Sequence, residues 1–261
     1  IAGGIFGIAF SWGVAEYFVR RKRLALTAIV LLLSYIGSIY YTLSNLLGNF
    51  TDSALAMIII ASVAVLIGTV FHWRRFHVPI TIAGGVSACV AALISFVMTL
   101  LGGDSGFVFA FVILFCGLAV FTFAMYWDSR DPYRRTRKSD IAFWLHLLAA
   151  PMLVHPVFYF LGVFEGNITL MHAFLVILMY VFMAFISVCV DRRALMVSSL
   201  AYVLYALSYI MSETGALDMG IALAALVVGS ALLSLSALWQ PVRRSVVKNL
   251  PDNIRVKLPP V

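Results

Sequence analysis

The chain has 261 residues, of which 63% are hydrophobic and 11% are charged, and its formal net charge is +7. Soluble domains carry about 25% charged residues, so this composition excludes the soluble class. The apolar residues form long runs without the alternation of barrel strands, which indicates transmembrane helices. The three cysteines, Cys89, Cys116 and Cys189, lie singly inside these runs and predict neither a disulfide framework nor a zinc site.

Apolar segments of about 19–24 residues follow one another along the chain, and each is long enough to cross a bilayer at 1.5 Å per residue. We predict nine spans, at residues 1–19, 24–47, 53–71, 79–101, 106–127, 141–163, 168–190, 194–212 and 217–239. The predicted fold is therefore all-α, a polytopic transmembrane bundle over residues 1–240 built as helical hairpins joined by basic loops. Residues 241–261 mix proline with charge and are expected to form a surface-lying or disordered cytoplasmic tail.

The charged residues are segregated between alternate connections. All 18 lysines and arginines lie at 20–23, 74–75, 128–139, 192–193 and after residue 240. The other connections carry only acidic charges, at Asp52, Asp104, Glu165, Glu213 and Asp218. By the positive-inside rule the basic side is cytoplasmic, which puts the first residue outside and the C-terminus inside. The positive charge is thus explained by topology, and no nucleic-acid partner is predicted.

Two further expectations concern the connections and the start of the chain. The 128–139 segment is expected to anchor the topology, with docking of a partner or of anionic lipid headgroups as the alternative. The chain begins at Ile1 within an apolar run, so an additional helix is expected upstream.

Polar stripes run along two predicted spans. Ser198, Tyr202, Tyr205, Tyr209 and Ser212 share one face of the eighth span, and Ser34, Ser38, Tyr41 and Asn45 share one face of the second. Such faces either line a solute path or headgroup cleft, or hydrogen-bond to neighbouring helices as structural glue. Small residues at Gly3, Gly7, Ser11 and Ala15, and at Gly84, Ala88 and Ala92, predict close helix packing.

The sixth predicted span contains two histidines and two prolines. His146 and His155 are nine residues apart and lie on opposite faces of a straight helix, so they cannot share one metal ion. Pro151 and Pro156 each remove a backbone hydrogen bond, and we expect the span to be broken near the membrane centre. His155 is the better candidate for a solute site, because His146 lies closer to the cytoplasmic surface.

The predicted solute-binding set combines the sixth, seventh, eighth and second spans. His155 is expected to meet His172 at similar depth, with Tyr159 one turn away on the same face. The full set is His155, Tyr159, His172, Tyr202, Tyr205, Tyr209, Ser34, Ser38 and Tyr41. A satisfied structural histidine is the alternative for His155. No catalytic motif, metal site or cofactor is predicted, and an enzyme is not favoured.

Three ionisable residues lie near span ends. Glu16 precedes Arg20 by one helical turn and is expected to form an ion pair with it. His72 and His77 flank Arg74 and Arg75 and are expected at the membrane interface.

The alternation of apolar hairpins with arginine-rich turns, together with the segment RKSDIAFWLHLLAAPMLVHP, resembles polytopic bacterial inner-membrane proteins of a domain-of-unknown-function family. The resemblance implies a multi-pass protein of the bacterial inner membrane and supplies no functional residue. Ten-helix drug/metabolite-type transporters are a further comparison, which requires a preceding helix and an inverted repeat.

Three functions follow as alternatives. The first is a transporter-like protein or one that binds a small solute or lipid in an intramembrane cavity. The second is a non-catalytic subunit or assembly factor of a larger membrane complex, and the third is an intramembrane haem or redox subunit. Membrane lipids and other membrane protein subunits are the expected partners.

Overall fold

The computed structural model describes residues 1–22, 24–48, 50–51, 53–102, 105–162 and 170–193, several isolated positions between 196 and 234, and residues 236–251. Most of the eighth and ninth predicted spans lie outside these residues, as do Tyr202, Tyr205 and Tyr209 of the predicted site. All regular secondary structure among the described residues is helical, and no strand occurs in this part of the chain.

Eight helices have complete bounds. They are α1 (Ala2–Phe18), α2 (Ala25–Leu47), α3 (Ala54–Phe76), α4 (Ile80–Leu100), α5 (Gly106–Ser129), α6 (Arg137–Phe160), α7 (Leu170–Val190) and α8 (Trp239–Lys248). Helices α2 to α6 are long and apolar enough to cross a membrane. Large apolar side chains such as Leu26, Phe71 and Phe115 are exposed on them. The chain is therefore an integral, multi-pass membrane protein.

Several helices extend beyond the apolar segments into the basic connections. Helix α3 ends at Phe76, five residues past the predicted end, and α6 begins at Arg137, four residues before the predicted start. The predicted basic loops therefore include helical turns. The reason is physical: hydropathy falls where a helix leaves the membrane, whereas the backbone hydrogen bonds continue until a residue such as His77, with a φ of 54°, ends them.

The helices form two compact units, residues 1–112 and 113–261, and the boundary falls within α5. In the first unit, consecutive helices pack against each other, α1 on α2, α2 on α3 and α3 on α4. Its apolar core contains Tyr35, Ile39, Val65 and Ala88.

Small residues allow α1 to approach α2 closely, as the sequence predicts, but the register differs by one residue at the start. Gly3 faces open space, whereas Gly4 is buried against α2. Ser11 and Ala15 continue the buried face, and Ser11 Oγ donates to Ser34 Oγ at 2.9 Å. The predicted small face is therefore correct except at Gly3.

His72 is buried in the first unit, and its expected location at the membrane interface stays a prediction. Its Nδ1 atom lies 3.0 Å from Thr81 Oγ1 of α4. The rings of Trp12, Tyr35 and Phe76 surround the imidazole, with centroids 4.7–6.1 Å away. His72 therefore joins α3 to α4 and to an aromatic cluster.

Helix α6 of the second unit is more enclosed than α2 to α5. In the most apolar 18-residue stretch of α6, 61% is buried, against 28% in the corresponding stretch of each of α2 to α5. Ala150 and Leu153 pack against Leu114 and Phe121 of α5, and the adjacent Val154 and Phe158 pack against α7. Helix α6 thus has the close neighbours needed to hold polar side chains away from lipid.

The structure differs from the expected break at the two prolines of α6. The helix continues through Pro151 and Pro156 to Phe160. Each proline removes one hydrogen bond, but buried residues on both sides of Pro151 keep the flanking turns packed. The backbone here does not form the interrupted helix typical of transporter binding sites.

Candidate functional site

Four polar residues from different segments meet in the buried interior of the second unit. Asp128 lies in the last turn of α5, Ser139 and His146 lie on α6, and Arg192 follows the end of α7. We call these four residues the Asp128 cluster. Asp128, His146 and Arg192 are 4%, 1% and 8% exposed. Ionisable side chains buried among membrane helices are costly, and they mark functional sites in many membrane proteins.

The carboxylate of Asp128 is held from two sides. His146 Nε2 lies 2.9 Å from Asp128 Oδ2. Arg192 donates to both oxygens of the carboxylate, through Nε to Oδ2 at 3.2 Å and through Nη2 to Oδ1. A bidentate guanidinium bond fixes the orientation of the carboxylate, and the opposite charges offset the cost of burying either ion alone.

Arg192 is itself held by α6 and α7. Its Nη2 atom also donates to the backbone oxygen of Ser139 at 3.2 Å and lies 3.3 Å from the Ser139 hydroxyl. Its backbone N–H donates to Ser187 O at 2.9 Å, and the Ser187 hydroxyl donates to the Arg192 carbonyl. The guanidinium therefore connects the end of α5, the start of α6 and the end of α7.

His146 has one ring nitrogen engaged and one without a hydrogen-bond partner among the described residues. Nε2 bonds to Asp128, while Nδ1 is buried and unpartnered in that part of the chain. A neutral imidazole that donates from Nε2 to a carboxylate leaves Nδ1 as a bare acceptor. The Nδ1 atom is thus the position in the Asp128 cluster where a proton or a hydrogen-bond donor can add.

A second ionic group lies next to the first at the end of α7. Arg134 Nη1 is 2.7 Å from Asp191 Oδ2, and Trp239 Nε1 of α8 donates to Asp191 Oδ1 at 2.6 Å. Arg243 Nε lies 3.8 Å from the same oxygen and is 1% exposed. Asp191 adopts a left-handed φ of 58°, which ends α7 and directs its side chain to these partners.

The described part of the C-terminal segment is therefore more ordered than the sequence suggests. Helix α8 buries Trp239, Arg243 and Val247, which recur every four residues, and it packs against α7. Its exposed face carries Arg244 and Lys248. Residues 241–248 of the expected surface-lying or disordered tail thus belong to a docked amphipathic helix with one exposed face.

Asp131 organises the turn that precedes α6. Its carboxylate accepts hydrogen bonds from the Thr136 hydroxyl at 2.7 Å and from the backbone N–H groups of Thr136 and Arg135 at 2.7 and 3.1 Å. The Thr136 hydroxyl is the main cause that holds the pKa of Asp131 below its ordinary value of 3.8. Thr136 in turn caps α6 by accepting from Lys138 N.

This turn should make stability depend on pH in the acidic range. A carboxyl whose pKa is lowered by folding stabilises the folded state above its unfolded pKa, about 4, and loses that contribution as pH falls through the folded value. We expect Asp131→Asn to lower the melting temperature at pH 7 and the difference from the wild type to shrink below pH 4. Asp140→Asn, at an exposed position of α6, is the control. A melting-temperature difference that stays constant from pH 7 to pH 3 would contradict this role.

The structure places the sequence-predicted residues of α6 and α7 outside the Asp128 cluster. His155 and His172 are partly buried, and Tyr159 is exposed with its ring 6.0 Å from that of Phe160. The predicted partners Tyr202, Tyr205 and Tyr209 lie outside the described residues. The proposed meeting of His155 with these groups stays a prediction.

Two residues of the predicted stripe on α2 contact α1. Ser34 accepts from Ser11 of α1, and the Ser38 hydroxyl lies against Gly7 of α1. Tyr41 is exposed, and its carbonyl accepts from the Asn45 side chain. Ser34, which is exposed, and the partly buried Ser38 thus both contact α1.

Sequence reasoning missed the Asp128 cluster because it assigned Asp128 to a solvent-facing loop and judged His146 too shallow. One signal was available: Asp128 directly follows the apolar run of α5, and Arg192 is the second residue after that of α7. By the predicted topology both ends lie on the same side as the start of α6. Oppositely charged residues at neighbouring helix ends on the same side of the membrane predict an ion pair. Such a pair cannot be recognised from any one segment alone.

Comparison with known proteins supplies no relative. The chain matches no family model, no curated protein sequence and no solved structure.

Proposed function

We propose that the protein is a transporter-like membrane protein that binds a small anionic solute together with a proton, and that His146 is the proton-accepting group. The observation that carries this proposal is the buried pair of Asp128 and His146. The Nδ1 atom of His146 has no hydrogen-bond partner among the described residues. Proton relays in membrane transporters use buried carboxylates and imidazoles of this kind.

The charges around His146 favour an anion over a cation. The two ionic groups contain Arg134, Arg192 and Arg243 against Asp128 and Asp191, an excess of one positive charge with neutral histidine. Protonation of His146 adds a second. An anion that binds nearby then favours protonation of His146. By linkage, protonation of His146 increases the affinity for the anion by the same factor.

Access to His146 requires helix movement, because the imidazole is 1% exposed. The two missing hydrogen bonds at Pro151 and Pro156 make α6 easier to bend than a helix with a complete set of backbone bonds. The continuous α6 then corresponds to a closed state of the proposed cycle.

Reconstituted protein tests the proposal. Liposomes that contain the protein and internal pyranine are given external citrate, glutamate or inorganic phosphate at pH 6, and internal acidification is recorded. We expect at least one anion to drive acidification by the wild type, and His146→Gln to reduce the rate to that of liposomes without protein. Arg137→Gln, which removes an exposed charge at the start of α6, should match the wild type.

Failure of all three anions to move protons in the wild type would favour the alternative, a subunit of a larger membrane complex. One observation supports that alternative: Ser34 and Ser38 of the α2 stripe contact α1. Purification in a mild detergent with one stoichiometric partner would support the subunit. A Soret band in the purified protein would support the third class, the haem subunit.

We further propose that the membrane is the bacterial inner membrane, with the 128–139 segment cytoplasmic. The segregation of all 18 basic residues into alternate connections supports this orientation. Labelling of a cysteine placed at Arg135 in intact cells, by a reagent that does not cross membranes, tests it.

A further inference from the structure

A polar cavity lies at the end of α1, in the first unit. Its volume is about 530 Å³, and it is lined by Gly13, Glu16, Tyr17, Arg20 and Arg21. Gly13 leaves the wall open, because a side chain there would meet nothing within 4 Å. The function proposed above does not involve this cavity.

The arginines around the cavity outnumber its single acid. Glu16 Oε2 accepts from Arg20 Nη1 and from Arg75 Nη2, each at 3.0 Å, and Glu16 Oε1 accepts from Arg75 Nε at 2.6 Å. The expected local pair of Glu16 and Arg20 therefore exists and also includes Arg75 of α3. Two guanidinium groups bind one carboxylate and Arg21 also lines the cavity, which leaves an excess of positive charge there.

Donors remain for an anionic ligand after these bonds are counted. Arg20 uses one of its five N–H groups on Glu16, and Arg21 forms no ion pair with any described residue. Two adjacent guanidinium groups with available N–H donors match the oxygens of a phosphate group.

The surroundings of the cavity match a lipid. Helix α1 exposes the stacked rings of Phe6 and Phe10 along its length, and Tyr17 is 46% exposed beside the arginines. Exposed phenylalanines suit acyl chains, whereas tyrosine and arginine at a helix end lie at the depth of headgroups. A soluble phosphate would gain nothing from this apolar face.

We propose that this cavity binds the phosphate group of an anionic phospholipid. Arg21 and Arg20 hold the phosphate oxygens, Glu16 fixes Arg20 and Arg75 in place, and the acyl chains lie along the exposed face of α1. The proposal does not depend on the function proposed for His146.

Binding of dioctanoyl phosphatidylglycerol to the purified full chain in detergent tests it, with bound lipid counted by native mass spectrometry. We expect Arg21→Gln to weaken binding about fivefold. This factor corresponds to the roughly 1 kcal/mol that one basic residue contributes near anionic lipid. Lys22→Gln is the matched control, because it removes the neighbouring positive charge from a residue that does not line the cavity. It should weaken binding much less than Arg21→Gln, because Lys22 donates no hydrogen bond to the phosphate in the proposed site and a detergent micelle has no continuous anionic surface to attract it. Both positions are exposed, so equal melting temperatures are expected to show that the variants are folded.

Three results would overturn the proposal. Equal weakening by Arg21→Gln and Lys22→Gln would indicate diffuse attraction to basic residues, and no weakening by Arg21→Gln would show that the cavity does not hold the phosphate. Inorganic phosphate that competes with the lipid at equal concentration would indicate a site for soluble phosphate. Weak competition by inorganic phosphate, with selective loss in Arg21→Gln, is the result that supports a lipid site.

Discussion

Asp128→Asn is expected to lower the free energy of unfolding by about 3–5 kcal/mol, because it leaves a buried guanidinium without its counter-charge. Asparagine has nearly the same shape as aspartate and fills the same space, so the loss comes from charge rather than from a cavity. Arg192 has no solvent route to compensate, since it is 8% exposed and fixed by Ser139 and Ser187. Unfolding in a detergent mixture with increasing SDS, followed by circular dichroism, measures the change.

Two further variants separate charge from packing. Asp140→Asn removes an acid at an exposed position of α6 and should change stability by less than about 0.5 kcal/mol. Adding Arg192→Gln to Asp128→Asn removes the unpaired charge and should recover part of the loss, as double-mutant cycles show for coupled residues. If Asp128→Asn costs no more than Asp140→Asn, the pair is not buried as described.

Gly117→Leu is expected to destabilise the second unit by about 1–3 kcal/mol through overpacking between α5 and α6. A Cβ atom at Gly117 would lie 3.0 Å from the carbonyl carbon and 3.1 Å from the carbonyl oxygen of Met152. Backbone atoms in a helix cannot move aside as a flexible side chain can, so the two helices must separate. The same SDS unfolding measurement reports the change.

Gly37→Leu is the matched control for this substitution. Gly37 lies within α2, where a Cβ atom would meet nothing within 4 Å. Leucine also has a higher helix propensity than glycine, so this variant should be neutral or slightly stabilised. Equal destabilisation by both substitutions would show that the cost does not arise from contact between α5 and α6.

The ionic group around Asp191 and an apolar cluster together dock α8 on the end of α7. Asp191 ends α7 and binds Trp239 at the start of α8, while Arg193 lies 4.8 Å from the centre of the same indole ring. Val188 and Met196 complete the contact as an apolar cluster around Trp239. Directional bonds to Asp191 and apolar packing around Trp239 therefore both hold α8 in position.

The sequence by itself determined the membrane character and the helical class. Both depend on sums over consecutive residues: a run of about 20 apolar residues must satisfy its backbone hydrogen bonds internally when it enters a bilayer. The same local reasoning gave the ion pair of Glu16 with Arg20 and most of the small face of α1. Residues within four positions of each other on one helix need no knowledge of its neighbours.

Only the tertiary structure decided which polar residues are buried together. Asp128 lies among charged residues in the sequence and reads as part of a loop, yet its partners are 18 and 64 residues away. The additional partner of Glu16, Arg75, is 59 residues away, and Gly4 replaces Gly3 because the approach of α2 sets the face of α1. Burial and pairing are properties of neighbouring helices, whereas hydropathy and periodicity belong to each helix alone.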